Sequence, residues 1–477
     1  MTGGFKDPVN TPSAYQFSDG TQRQNAIFDN PYFAVNNNVT TEKINRLIGF
    51  VQTDITPLPW INFTGRIGTD LYHFDDRQTY SKYSAENHAE QSFIGSNRTA
   101  QTLKRDINSD MILSIDKEIG KNFNFGLRFG HNYWESTNTI LEVTGYAYVF
   151  PNYNDLTNTT QRELYNRDTR RKLMALYSEA KIGYKNYAFL TGTVRREQAS
   201  TLPAKNNTFT YPSLSASLVV TDMLNIENNN VLSYAKIRAS AAQVGNLPNP
   251  FLTNTYFQPT NSQTFQGQPM YSSQTRQGNP EFKPEVSTTF EYGVEVRLFK
   301  NRASFDVTYY DTKNNNQIVP INVAASSGYS SAWRNSGFIT NKGWEIVAGV
   351  TPIKSKFQWD MTGNFFTYQN LVYNVATDFQ QIGASAGFTQ GYSGFVNGQP
   401  YGVIISPSGR LKRYGQDPDD KTIRTDLPVV VDTNGLPIIE QGNFIVGNPN
   451  PKWTLGYRNT FSWKGFTLST LLDIRQG

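Results

Sequence analysis

The sequence predicts an all-β fold, a transmembrane antiparallel β-barrel, and three observations predict it. Apolar and polar residues alternate along about fourteen segments, and many of these run roughly 10 to 14 residues. Strands of soluble proteins average about 5 to 6 residues. Tight turns alternate with long loops, the asymmetry expected of a membrane barrel with one short-turn end. No helical period competes over a comparable stretch.

Taken in order, the strand segments lie near 47–55, 59–68, 108–117, 122–134, 172–184, 186–196, 212–221, 232–243, 286–299, 302–313, 341–351, 356–369, 453–463 and 465–473. In the second, Ile61, Phe63 and Ile67 alternate with Asn62, Thr64 and Arg66. In the fourth, Phe123, Phe125, Leu127 and Phe129 alternate with Asn124, Gly126, Arg128 and Gly130. Ala235, Ile237, Ala239 and Ala241 alternate with Lys236, Arg238 and Ser240. Phe290, Tyr292, Val294, Val296 and Leu298 share one parity, and Glu291, Gly293, Glu295 and Arg297 share the other. After Lys300, Asn301 and Arg302 the pattern resumes with Ala303, Phe305, Val307 and Tyr309 against Ser304, Asp306 and Thr308. Phe357, Trp359, Met361 and Phe365 repeat it, and Phe466, Leu468 and Leu472 close the series. Successive strand residues point to opposite faces, so each segment has one greasy and one polar side.

The connections predict which end is which. Tight turns fall at Glu118 to Asn122, Tyr184 to Asn186, Phe299 to Arg302, Ile353 to Lys356 and Lys464 to Gly465. Long loops run near 135–171, 197–211, 244–285, 314–340 and 370–452, and these are expected outside the cell. Tyr133, Trp134, Tyr309, Tyr310, Trp344, Tyr368 and Trp463 stand at strand ends, where interface girdles belong. The polar parity carries too many charges for a dry core, so it faces a wide, wet or plugged lumen.

Composition excludes other classes. The chain has 477 residues, 14 % of them aromatic and only 17 % charged. Its net charge of +5 is spread without basic blocks, which argues against a nucleic-acid partner. The absence of cysteine excludes disulfide scaffolds, Cys-based zinc sites and thiol nucleophiles. No window of 18 consecutive apolar residues occurs, so no transmembrane helix is predicted. Barrel strands hide their apolar face by alternation and escape that test.

No catalytic, cofactor or metal site is read from the residues. His73, His88 and His131 lack a second ligand at metal-binding spacing. Asp417-Pro418-Asp419-Asp420 has the carboxylates of a calcium loop without its spacing, and reads as a turn. Glu291 and Glu295 lie about 13 Å apart along one strand face, too far for a glycosidase pair. Among the loop aromatics, Tyr256, Tyr329, Trp333, Tyr392 and Phe395 are the candidates for stacking on a substrate, against the plainer role of packing loop on loop.

Several blocks stand out. They are Tyr184 to Met223, with Ser200-Thr201-Leu202-Pro203 and Tyr211-Pro212-Ser213-Leu214-Ser215, and Leu232 to Asn246, with Gln243-Val244-Gly245-Asn246. Further blocks are Phe282-Lys283-Pro284-Glu285, Asn335-Ser336-Gly337, Asn341-Lys342-Gly343-Trp344-Glu345 and Gly447-Asn448-Pro449-Asn450-Pro451-Lys452-Trp453. In residues, order and spacing these blocks resemble the SusC/RagA family of TonB-dependent outer-membrane transporters over nearly the whole chain. The resemblance implies a barrel of about 22 strands around an N-terminal plug, of which this chain supplies about fourteen strands and no plug. It implies a SusD-like surface lipoprotein as a hinged lid, oligosaccharide or oligopeptide as cargo, and TonB-ExbB-ExbD as the energy source acting through the plug. It implies multi-pass residence in the lipid of a Gram-negative, Bacteroidetes-type outer membrane, with dimers of transporter–lid pairs common among relatives. The expectation is that residues 1–477 form the partial barrel domain of a longer transporter, with the 244–285 and 370–452 loops meeting lid and substrate. The rival readings are a passive porin and a secreted, soluble glycan-binding protein.

Overall fold

A computed structural model describes residues 17, 21, 29–85, 94–151, 153–226, 230–376, 380–382, 391–417 and 419–477. Its main feature is one antiparallel sheet of fourteen strands, joined in chain order. The strands are Thr40–Leu58, Ile61–Tyr80, Ser96–Ile119, Phe123–Tyr148, Thr159–Tyr184, Ala188–Ala199, Thr208–Val219, Leu232–Asn246, Glu285–Leu298, Ala303–Asn315, Phe338–Lys354, Phe357–Tyr373, Trp453–Trp463 and Phe466–Gln476. Each of the fourteen alternating segments falls within or overlaps one of them. Neighbour-to-neighbour pairing of this kind follows from tight turns, because antiparallel strands need only a few residues to reverse. Lys185 and Asn186, and Phe299, Lys300 and Asn301, take left-handed φ values in two such turns.

The two ends of the sheet differ as predicted. At one end, six of the seven hairpins close within a few residues, and the seventh holds the short helix Val220–Met223. At the other end stand the connections 81–95, 149–158, 200–207, 247–284, 316–337 and 374–452. Three of these are built structure. The first of the three contains the hairpin of Phe257–Phe265 and Gln268–Ser273. Ile318–Asn322 and Ser331–Asn335 pair in the second, and Ser331–Asn335 also pairs in parallel with Arg276–Gln277. The third holds a small sheet of Gln380–Ile382, Tyr392–Phe395, Val403–Ser406 and Phe444–Gly447.

One expected loop is mostly strand. Residues 135–148 and 159–171 continue the ladder, so only 149–158 connects them. Above the apolar band both faces of a strand meet water, and alternation of hydrophobicity ends while backbone pairing continues. The signal used to find strands therefore stops short of the strand.

Register assigns every side chain to a face, since partners across an antiparallel ladder point the same way. Phe63, Leu113, Phe129, Ser178 and Val194 form one cross-sheet row, and Ile67, Ser109, Tyr133, Met174 and Gln198 another. The first row belongs to a band of exposed apolar side chains that includes Met111, Leu176, Leu190, Leu214, Ile237 and Val294. Tyr133, Tyr309, Trp344 and Trp463 lie on this outer face, with Tyr309 paired to Trp344 at a ring separation of 5.0 Å. Trp134, Tyr310 and Tyr368 fall on the opposite parity, which corrects their placement in the girdle. Tyr310 instead stacks on Phe366 across the inner face, 13° from parallel. Strand-end position in sequence does not fix parity, because one residue of offset reverses the face.

Candidate functional site

The inner face is a lattice of charge pairs. Arg46 meets Asp70 at 2.6 Å, Arg66 meets Asp110 at 2.8 Å, and Arg98 bridges Asp76 and Glu142. Arg128 pairs with Glu179. Arg195 reaches Glu197 at 2.5 Å and also donates to Asn132. Arg238 grips Asp306 with two nitrogens, at 2.6 and 3.2 Å. All sit on the parity opposite the apolar band. Such pairs neutralise one another along a wet face, each contributing little to stability.

At the long-connection end the inner face opens into a cavity of about 430 Å³. Five amides line it, Asn246, Asn314, Gln317, Asn341 and Asn370, together with Glu285, Ser287 and Tyr401 and the apolar Val244, Val286 and Ile339. Strand parity accounts for this. Asn246, Glu285, Asn314, Asn341 and Asn370 each occupy an inward position near the upper end of consecutive strands. Glu285 accepts from Asn246 at 2.7 Å and from the Ile318 backbone N–H at 2.7 Å. Asn450 donates to the Tyr401 carbonyl at 2.8 Å and accepts from the Tyr368 hydroxyl at 3.0 Å. Asn370 accepts from the Tyr401 N–H at 2.9 Å. Asn341 differs, because its side-chain oxygen is buried with no hydrogen-bond partner among the described residues. A buried acceptor left open is a costly feature unless a donor arrives.

The sequence blocks that carry the family resemblance converge here. Lys283 and Asn335 exchange hydrogen bonds at 3.0 and 2.9 Å, tying the 247–284 connection to 316–337. In Asn341-Lys342-Gly343-Trp344-Glu345, the first residue faces the cavity and Trp344 the outer girdle. Gly343 lies between them with the Tyr310 hydroxyl and the Thr367 carbonyl both 2.6 Å from where a β-carbon would stand. Only glycine admits that ring across the strand. The same holds for Gly245, where the Tyr211 hydroxyl occupies the side-chain position.

The five predicted stacking residues are divided by the structure. Tyr256 is exposed and edges onto Phe251 at 6.4 Å, in a separate cleft of about 1130 Å³ beside residues 164–170. Tyr329 is half-buried at the tip of the 316–337 connection. Trp333 packs against the buried trio Ala199, Leu202 and Phe282, with the Arg276 guanidinium 5.0 Å above its ring. Tyr392 packs on Val396, Val403, Ile405 and Ile445. Phe395 is only 4 % exposed, wedged among Val319, Ile339, Val372 and Val375. Trp333 and Phe395 therefore hold loop to loop, and only Tyr256 presents its ring openly. The amide cavity was not singled out from the sequence; Asn residues at the polar parity near strand ends were the available signal.

Asp417 and Asp420 act within their turn. Asp417 accepts from the Asp419 N–H at 2.9 Å, and Asp420 accepts from the Thr422 N–H and hydroxyl at 2.9 and 2.6 Å. The Thr422 hydroxyl and backbone bonds hold the Asp420 carboxyl below the usual carboxylate range. Among the described residues no group of three or more His, Asp or Glu could hold a metal ion. His88 lies outside the described residues.

Comparison with known proteins agrees with this geometry. The family described as TonB dependent receptor-like, beta-barrel matches residues 2–470. TonB-dependent receptor P26 of Formosa agariphila is 23 % identical over 397 residues, which cover 80 % of this chain and 40 % of that protein. TonB-dependent receptor SusC of Bacteroides thetaiotaomicron is 21 % identical over 487 residues, covering 98 % of this chain and 47 % of that one. The solved RagAB peptide transporter superposes with a TM-score of 0.74 at 17 % identity, over 93 % of this chain and 49 % of the matched chain. The chain thus spans about half the length of these relatives.

Proposed function

The chain belongs to the TonB-dependent receptor β-barrel family, and from that premise we propose that it forms the channel wall of an outer-membrane nutrient importer of the SusC/RagA kind. The observation that carries this reading is the amide cavity at the mouth of an ion-paired inner face whose outer face is apolar. Asn and Gln side chains offer both donors and acceptors, which suit the hydroxyls of an oligosaccharide or the backbone of an oligopeptide. Asn341, which lines the cavity, offers its amide group to such cargo. A SusD-like lipoprotein covers the long-connection end, and TonB with ExbB and ExbD energises passage through the plug of the complete transporter. The site is one of binding and passage, with no catalytic group assigned to it. The setting is a Gram-negative, Bacteroidetes-type outer membrane.

The test uses the full-length transporter in its native membrane. Asn341→Leu leaves insertion intact and lowers uptake of the native oligomer about tenfold, the effect of removing a buried polar contact. Removing 257–273, the exposed hairpin, lowers uptake by weakening lid or cargo contact. Unchanged uptake in both variants overturns the role given to the amide cavity and the hairpin, and absence of energised uptake by the unaltered transporter overturns the importer reading. Open, ungated conductance through the complete channel moves the passive porin to first place.

A further inference from the structure

We propose that the outer face of strands Ser96–Ile119 to Ala188–Ala199 binds an acylated, phosphate-bearing lipid of the outer leaflet. Register places Arg105, Thr137 and Arg170 in one outward row, and Ile107, Glu135 and Lys172 in the next. Tyr133 stands in the row below these, and Arg196 one row lower, level with His131 and Leu176. Four cations thus gather around the upper girdle within about 20 Å along the strands. Two carboxylates share this face near them. Glu135 is held by Arg170 at 2.7 Å and Lys172 at 3.8 Å, and Asp168 lies one row above Arg170. Arg105 and Arg196 have no side-chain partner among the described residues.

The contrast with the inner face makes this informative. There, each arginine described above has a carboxylate. Here, Arg196 is exposed at the lip of the apolar band, where an uncompensated charge is costly and its long side chain reaches toward the headgroup layer. Level with Arg196 and in the row below it, Phe63, Met111, Leu113, Phe129, Leu176 and Val194 line an outward groove of about 530 Å³, whose lining also includes His131 and Arg196 itself. An apolar trough under a cluster of cations is complementary to one molecule with acyl chains below and phosphate above. Arginine suits phosphate because its planar fork donates two parallel hydrogen bonds.

The inference rests on the reading of this sheet as a membrane-spanning wall. The test reconstitutes the full-length transporter in phosphatidylcholine vesicles carrying about one lipid in ten of diphosphoryl lipid A, or of its dephosphorylated form. Native protein recovered from these vesicles is expected to retain the phosphorylated lipid about fivefold over the dephosphorylated one, and R105Q/K172Q/R196Q loses that preference. R105K/R196K keeps most of it, which separates lost charge from lost folding. Equal retention by native and triple-variant protein overturns the inference, as does full displacement of the lipid by millimolar pyrophosphate alone. Failure of the native protein to insert into either vesicle overturns the membrane-wall reading, and the inference with it.

Discussion

The wall and the mouth of this molecule are stabilised by different means. In the wall, fourteen neighbouring strands share backbone bonds, and side chains meet lipid on one face and ion partners on the other. At the mouth, three long connections wrap around compact apolar clusters: Val319, Ile339, Val372, Val375 and Phe395 in one, and Val396, Val403, Ile405 and Ile445 in another. The third joins Ala199, Leu202 and Phe282 with Leu247, Leu252, Ile318 and Trp333. The wall is a repeat in which one residue rarely decides. The mouth is a set of small cores in which single residues do.

Phe282→Ala tests that contrast most severely. Phe282 is fully buried where three connections meet, so truncation destabilises the cluster by about 3–5 kcal/mol. Hydrogen exchange is expected to quicken across 247–284 and 316–337 while the wall keeps its protection. Equal loosening of both regions breaks the distinction. Arg410→Met acts next, by about 3 kcal/mol, because the buried guanidinium serves Glu440 and the carbonyls of Asp420 and Thr422 and lies 4.2 Å over Phe444. Limited proteolysis is expected to cut within 410–445 in that variant; resistance equal to the native protein counts against it.

Gly343→Ala sharpens the comparison from the other side. It is one of the places where the wall is intolerant, since the added carbon meets the Thr367 carbonyl and Tyr310. A loss of about 1–3 kcal/mol is expected in detergent unfolding, against little change for Gly363→Ala, where nothing lies within 4 Å. The smallest effect is electrostatic. Asp420 has its folded-state pKa lowered, so its contribution is present above the ordinary carboxylate value and is lost as pH falls through the lower folded-state value. Exchange at Thr422 is expected to quicken only in that acid range, and Asp420→Asn abolishes the dependence.

The period-2 pattern made the membrane-spanning parts legible. Fourteen segments could be placed because each repeats one physical requirement, lipid on one face and water on the other. The same requirement fades above the girdle, which is why 135–148 and 159–171 read as loop although they pair as strand. Aromatic residues at strand ends were visible, yet Trp134, Tyr310 and Tyr368 needed register to assign their face. Phe395 and Tyr256 look alike in sequence, as loop aromatics among polar neighbours. Burial alone separates a packing wedge from an exposed ring.

By itself the sequence determined the all-β class, the fourteen alternating segments of the wall, the end with short turns and the family, because alternation and turn chemistry are local in the chain. Tertiary structure alone decided that Asn246, Glu285, Asn341, Asn370 and Asn450 gather around one mouth. It alone decided that Arg105, Arg170, Lys172 and Arg196 gather on the outer face. All but Asn450 stand on strands of the wall, several strands to each group, and cross-strand register, which no single segment encodes, sets who stands beside whom; Asn450 is brought in by its bonds to Tyr368 and Tyr401.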